Sequence, residues 1–175
     1  MKLTNYIKIL SGVIIAIAIS SCSVATEDNE LSVPSQTFSF EDVFEGSNTA
    51  NSLELDLNPI ISAEEKLKGK EVESVNVKSI TLTKNDSVGF SEISSVKMQV
   101  MGDGEDAPML TVGVLNKVDS LSKSIELEIV DEVELGEYIE AGKIYLILDG
   151  DFKPECEEYQ DVDASINFNV KTVKK

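Results

Sequence analysis

Ser94 and Lys97, and again Ser120 and Lys123, stand three residues apart. On a helix that spacing would let a lysine amine take the proton from a serine nucleophile. Here one copy falls in an alternating stretch and the other in a turn cluster, and both lack a companion Ser-Asp-Asn. The chain has no His and no Gly-x-Ser-x-Gly, which removes the usual hydrolytic triad. Glycoside hydrolysis by carboxylates alone needs two acids about 5–10 Å apart. With 32 Asp and Glu, some pair meets that spacing by accident, so spacing discriminates nothing. There is no Trp to stack a sugar, leaving Tyr138, Tyr145 and Tyr159 as substitutes. Two short acidic stretches offer the oxygen ligands calcium takes: Asp103, Glu105 and Asp106 in one, Asp149 and Asp151 in the other. Neither follows the twelve-residue EF-hand spacing, and Gly and Asp are also what turns require. Cys156 sits among Glu155, Glu157 and Glu158, whose like charge opposes the thiolate a nucleophile needs. An inert thiol is the expectation there, with an intermolecular bridge as the alternative.

Composition narrows the partners. The net charge is −17, and all 15 basic residues are Lys. Such a surface repels nucleic-acid phosphate, so no nucleic-acid partner is expected. The missing Arg removes the two-pronged donor for phosphate or carboxylate, and the missing His removes the commonest metal ligand. No cofactor is expected. Hydrophobic residues make up 42% of the chain, enough for a packed core.

Residues 1–21 have the layout of a secretory signal. Lys2 and Lys8 precede Ile9–Ile19, an eleven-residue and almost wholly apolar run, and Ser20 and Ser21 lead to Cys22. The run is shorter than the roughly 20 residues that span a bilayer. Ile19-Ser20-Ser21-Cys22 resembles the lipobox of bacterial lipoproteins. The resemblance implies diacylglycerol on the Cys22 thiol, cleavage before it, and acylation of the new amine. Two or more chains anchor a protein stably where one does not. Ser23 after the cysteine resembles the sorting pattern for outer-membrane delivery. Glu27-Asp28-Asn29-Glu30 is similar to the surface-export signal of Bacteroidota-type lipoproteins, a solvated linker being the alternative. Loss of residues 1–21 takes two Lys and no acid, leaving −19. Residues 22–35 then read as a lipidated flexible tether reaching roughly 20 Å.

Beyond residue 36 the dominant period is two, the mark of strands with one buried face. It runs through Phe38 and Phe40; Leu53, Leu55 and Leu57; Val96, Met98 and Val100; Leu110, Val112 and Val114; Ile125, Leu127 and Ile129; and Val162 to Val170. In Val75–Leu82 the inward phase slips at Lys78-Ser79, which predicts a β-bulge. Lys143–Leu148 is apolar on both faces and predicts an interior strand. Turns are expected at Lys84–Ser87, Gly102–Gly104, Asn116–Ser120 and Asp149–Asp151. Ser62–Lys70 could form two helical turns, and Ser39–Glu45 could compete as helix. Leu135, Tyr138 and Ile139 suggest one turn bridging two sheets and ended by Gly142.

The expected fold is all-β: an antiparallel immunoglobulin-like β-sandwich of about eight strands with one or two short helical turns, occupying residues 36–175. A small barrel is the alternative. The expected function is non-enzymatic: a lipoprotein of the bacterial outer membrane, held by Cys22 and facing periplasm or cell surface. Its domain would serve binding, adhesion or assembly with a protein or glycan ligand, through the loops Asp103–Pro108 and Asp149–Gln160 at one end of the sandwich. A small envelope glycan hydrolase and a calcium-dependent adhesion module are the alternatives.

Overall fold

The structure is a computed structural model and describes residues 25–104, 107–119, 121–130, 133–140, 143–154 and 156–174. Cys22, Glu105, Asp106, Ser120 and Gly142 lie outside the described residues. Two antiparallel sheets face each other. One has the order β1 (Thr26–Glu41), β10 (Tyr159–Val173), β4 (Val72–Thr83), β7 (Ser124–Glu126). In the other, β9 (Ile144–Phe152) pairs on one side with both β2 (Gly46–Thr49) and β3 (Leu53–Leu55). On its other side follow β5 (Ile93–Gly102), β6 (Met109–Leu115) and β8 (Glu128–Ile129). Two short helices complete the described elements, α1 (Leu57–Ala63) and α2 (Gly136–Glu140).

The pairing is nested. β1 meets β10, β2 and β3 meet β9, β4 meets β7, and β5 meets β6. With β2 and β3 taken as one interrupted strand and β8 as an appendix to β6, eight principal strands remain. The all-β antiparallel sandwich expected from alternation is therefore present, and within that class its strand order is that of a jelly roll. Alternation reports which face of a strand is buried and carries nothing about which strand lies beside which.

This topology sorts the connections. Those of β1 to β2, β4 to β5, β6 to β7 and β9 to β10 each cross between the sheets at one end, here called the loop end. The connections of β3 to β4, β5 to β6 and β8 to β9 lie at the other end. Both described termini lie there too, with the Lys174 N–H donating to Ala25 O at 2.7 Å. The core fills the space between sheets with Phe38, Phe40, Ile80, Leu82, Met98, Val100, Leu148 and Phe168, all buried. Phe40 and Phe152 meet edge to face at 5.1 Å.

The predicted bulge is present: Ser79 opposes Asn167 and Val77 opposes Phe168, so Lys78 has no partner on β10. β9 is an interior strand, with Ile144, Leu146, Ile147 and Leu148 all buried. α2 packs against β4 of one sheet and β5 of the other, the predicted bridge.

Four expectations need correction. Residues 26–35 are not tether; they form the first half of β1, which pairs with β10 from Thr26 onward. Asn29, Leu31 and Val33 point inward, and Asn29 is tolerated there because its Nδ2 donates to Thr172 Oγ1 at 3.2 Å. Pro34 sits at a register irregularity of this edge strand, where a missing N–H costs little. Asp149-Gly150-Asp151 is not a turn but the interior of β9. A Cβ on Gly150 would stand 3.0 Å from Phe152 Cε2 and 3.4 Å from Phe40 Cζ, so the glycine makes room for that aromatic pair. The helix expected at Ser62–Lys70 lies earlier, at Leu57–Ala63, because Asp56 caps it by accepting from Asn58 N–H at 3.0 Å. Pro59 falls in the first turn, where its missing N–H has no role. The helix considered for Ser39–Glu45 gives way to strand through Glu41.

Candidate functional site

The loop end is one connected unit. Val43 N–H donates to Glu158 O at 3.0 Å, tying the β1–β2 loop to the β9–β10 loop. Lys153 N–H donates to Glu92 O at 2.8 Å, tying that loop to the β4–β5 loop. Phe90 N–H reaches Ser122 O at 3.2 Å and Lys84 N–H reaches Lys123 O at 3.0 Å, extending the tie to the β6–β7 loop. Gly89 makes the contact between Phe90 and Ser122 possible. Its φ is +60°, and a Cβ there would lie 2.7 Å from the Ser122 carbonyl oxygen.

A buried polar chain runs beneath these loops. Lys84 is 1% exposed, the most buried charged residue among those described. Its ammonium donates to Gln160 Oε1 and pairs with Asp86 Oδ2 at 3.0 Å. Gln160, itself buried, donates through Nε2 to Glu92 Oε2, which also accepts from Glu157 N–H at 2.9 Å. Each buried donor thus has a partner, as burial demands. Partial burial pushes the Asp86 carboxyl up, but the Lys84 ammonium and the Gly89 and Val88 N–H groups more than offset it. The carboxyl is held below its ordinary value.

Over this chain opens a groove of about 480 Å³, lined by Asn85, Asp86, Glu157, Tyr159, Asp161 and Asp163 together with Thr37 and Gln160. Asp163 is oriented by Thr37 Oγ1 at 2.6 Å and Asn85 Nδ2 at 2.7 Å, and Asp161 by Ser39 Oγ at 2.7 Å. The groove is polar, anionic and open, with one aromatic ring on its wall. No carboxylate among the described residues is buried, and Asp86 is held ionised. An anionic groove of this kind suits cations and hydrogen-bond donors.

The other candidate residues fall elsewhere. Asp103 is exposed in the β5–β6 connection, beside a smaller hollow formed with Gly102, Ala107, Pro108, Glu137 and Tyr138. Asp149 and Asp151 project from β9, where Thr49 Oγ1 and Lys97 Nζ hold the first at 2.7 and 3.1 Å and Ser95 Oγ holds the second at 2.6 Å. Gly102 opposes Ile144 and Lys97 opposes Asp149, so Asp103 lies several residues along the sheet from Asp149. Asp103 is therefore not brought together with Asp149 or Asp151. No group of three or more possible metal ligands occurs among the described residues. The loops Asp103–Pro108 and Asp149–Gln160 do not share an end: β5 runs away from the loop end and β9 runs toward it, so only the second belongs there. In the first Ser-x-x-Lys pair, Ser94 Oγ donates to Asp151 O at 2.9 Å while Lys97 serves Asp149, so the two side chains do not meet. Cys156 is half-buried and packs against the core beneath the β9–β10 loop. Sequence reasoning passed over Lys84, Gln160 and Glu92. Their signal is faint: a Lys in phase with the inward residues Ile80 and Leu82 of the preceding strand.

No protein family matches the sequence, and no curated protein does. Among solved structures the chain is similar to infectious bursal disease virus, Gt strain, at 9% identity and TM-score 0.43 over 85% of this chain. It spans about a third, 33%, of that chain. It is also similar to desmodium yellow mottle tymovirus, at 8% identity and TM-score 0.35, covering 99% of this chain and 97% of the other. A third similar structure is the empty head of turnip yellow mosaic virus, at 10% identity and TM-score 0.32, covering 99% and 90%. These likenesses carry no argument; the jelly-roll assignment rests on the strand order given above.

Proposed function

We propose that this chain is a lipid-anchored envelope protein whose jelly roll is a binding module, held to the outer membrane through Cys22 and presenting its loop end outward. One observation carries the reading: the described termini share one end of the sandwich and the four crossing loops tile the other. β1 starts at Thr26, four residues past Cys22. An anchor on that sulfur therefore holds the terminal end close to the headgroups. The 16 residues of β1 then carry the loop end roughly 50 Å away. A surface so displaced is free to meet a partner, and rigid scaffolds commonly place binding on such loops. No observation among the described residues favours the hydrolase or the calcium-adhesion alternative.

The test is metabolic labelling with an alkyne fatty acid. The chain should take up label and sediment with membranes, and Cys22→Ala should lose both properties. An unlabelled chain, or a Cys22→Ala form that still sediments with lipid, contradicts the reading.

A further inference from the structure

Each of the four loops that tile the loop end leaves one large apolar side chain in water. These are Phe44 (62% exposed), Val88 (37%), Leu121 (92%) and Tyr159 (53%), the last at the start of β10. Three are held out by capped turns. Buried Asn48 accepts from Phe44 N–H at 3.2 Å and donates to Phe44 O at 2.8 Å. Asp86 Oδ1 accepts from Val88 N–H at 3.0 Å, and Asp119 Oδ1 from Leu121 N–H at 3.1 Å. These bonds order the backbone at the three residues, and their side chains stand in solvent. The four span three strand spacings, roughly 15 Å. Together the four expose an area on the order of 400 Å² along this one end of the sandwich.

Tyr159 is also a wall of the anionic groove, which adds Asp86, Glu157, Asp161 and Asp163 at the edge of the same patch. The occupant must suit both halves. A second copy would set carboxylates against carboxylates on chains of net charge −17. A headgroup layer is flat and does not follow the walls of a concave groove. We propose that the loop end docks a protein partner whose contact surface joins aliphatic side chains to Lys or Arg. The aliphatic groups cover Phe44, Val88 and Leu121, and the cations enter the groove at Glu157 and Asp161. Capped turns keep the ordering cost of docking small. The inference rests on the binding-module reading and adds to it the class of partner.

The full chain in phosphatidylcholine nanodiscs, with empty discs as the blank, is titrated with three synthetic peptides of one leucine pattern. Their polar positions are Lys, Glu or Ser, and binding is read by fluorescence anisotropy. The leucine–lysine peptide alone should bind. Its affinity should fall at least tenfold in Phe44→Ser/Leu121→Ser and again in Glu157→Gln/Asp161→Asn, with the melting temperature unchanged because these side chains are exposed. No binding of that peptide, or binding indifferent to Phe44→Ser/Leu121→Ser, overturns the proposal. Equal binding of the leucine–serine peptide with the same dependence on Phe44 and Leu121 overturns the cationic partner while leaving the loop end as a binding surface. Cosedimentation with added phosphatidylcholine vesicles that depends on Phe44 and Leu121, in place of peptide binding, overturns a protein partner.

Discussion

Replacing Lys84 by Met removes the ammonium at the centre of the polar chain under the groove. Its volume is nearly kept, so no cavity adds to the effect. Gln160 Oε1, on a side chain 3% exposed, loses its donor, and an unsatisfied buried acceptor costs about 1–3 kcal/mol. Asp86 loses its cation too, but its side chain is 39% exposed and water takes over most of that interaction. The expected loss is about 2 kcal/mol, or about 4–8 °C in melting temperature for a chain this long. The pH dependence has a definite sign. Asp86 is held below its ordinary value when folded, so its pairing with Lys84 stabilises fully above the ordinary carboxylate pKa of about 4. That part fades as pH falls through the lowered folded value. Urea unfolding followed by far-UV circular dichroism should therefore show a gap between wild type and Lys84→Met that is wider at pH 7 than at pH 2.5. A variant as stable as wild type, or a gap equal at both pH values, refutes the reasoning.

The remaining expectations are smaller in scope. Gly150→Ala forces a methyl to within 3.0 Å of Phe152 Cε2 and should cost about 1–2 kcal/mol in urea unfolding; a neutral result would show that the Phe40–Phe152 pair shifts freely. Gly89→Ala combines a left-handed backbone with a 2.7 Å approach to Ser122 O and should cost about 2 kcal/mol or more, with faster exchange of the Phe90 amide as the second readout. Asp149 and Asp151 are occupied by Thr49, Lys97 and Ser95, so any shift of melting temperature between calcium and chelator should be the same in wild type and in Asp149→Asn/Asp151→Asn; a shift lost in that variant would place calcium at β9.

Much of the fold could be read from residue order. Alternation located β1 from Phe38, β5, β6 and β10, and the slip at Lys78 announced a bulge before any pairing was known. The failures have identifiable causes. The first half of β1 reads as linker because its inward set begins with Asn29, whose burial depends on Thr172, a partner 143 residues away. Asp149-Gly150-Asp151 has the composition of a turn, but its glycine is a packing residue: the space it leaves is filled by Phe40 from the opposite sheet. Helix α1 starts where Asp56 caps it, a local signal that the apolar pattern of Leu53, Leu55 and Leu57 obscured. The candidate site was less legible still. The groove takes residues from β1, β10, the β4–β5 loop and the β9–β10 loop, and only nested pairing brings these together. Lys84 looked like one more solvated lysine, because nothing local shows that Gln160 and Asp86 will close over it.

The central claim concerns orientation: lipid at one end of the sandwich and the contact loops at the other. It is tested most directly by energy transfer from a dye on the domain to acceptors in the bilayer headgroups. The chain is lipidated through Cys22, Cys156 is changed to Ser, and the dye is placed at residue 44 or at residue 70. Residue 70 pairs with Glu27 beside the start of β1. Transfer should put position 44 roughly 50 Å from the headgroups and position 70 within roughly 15 Å. Equal distances, or a dye at position 44 closer to the bilayer than one at position 70, would contradict the account.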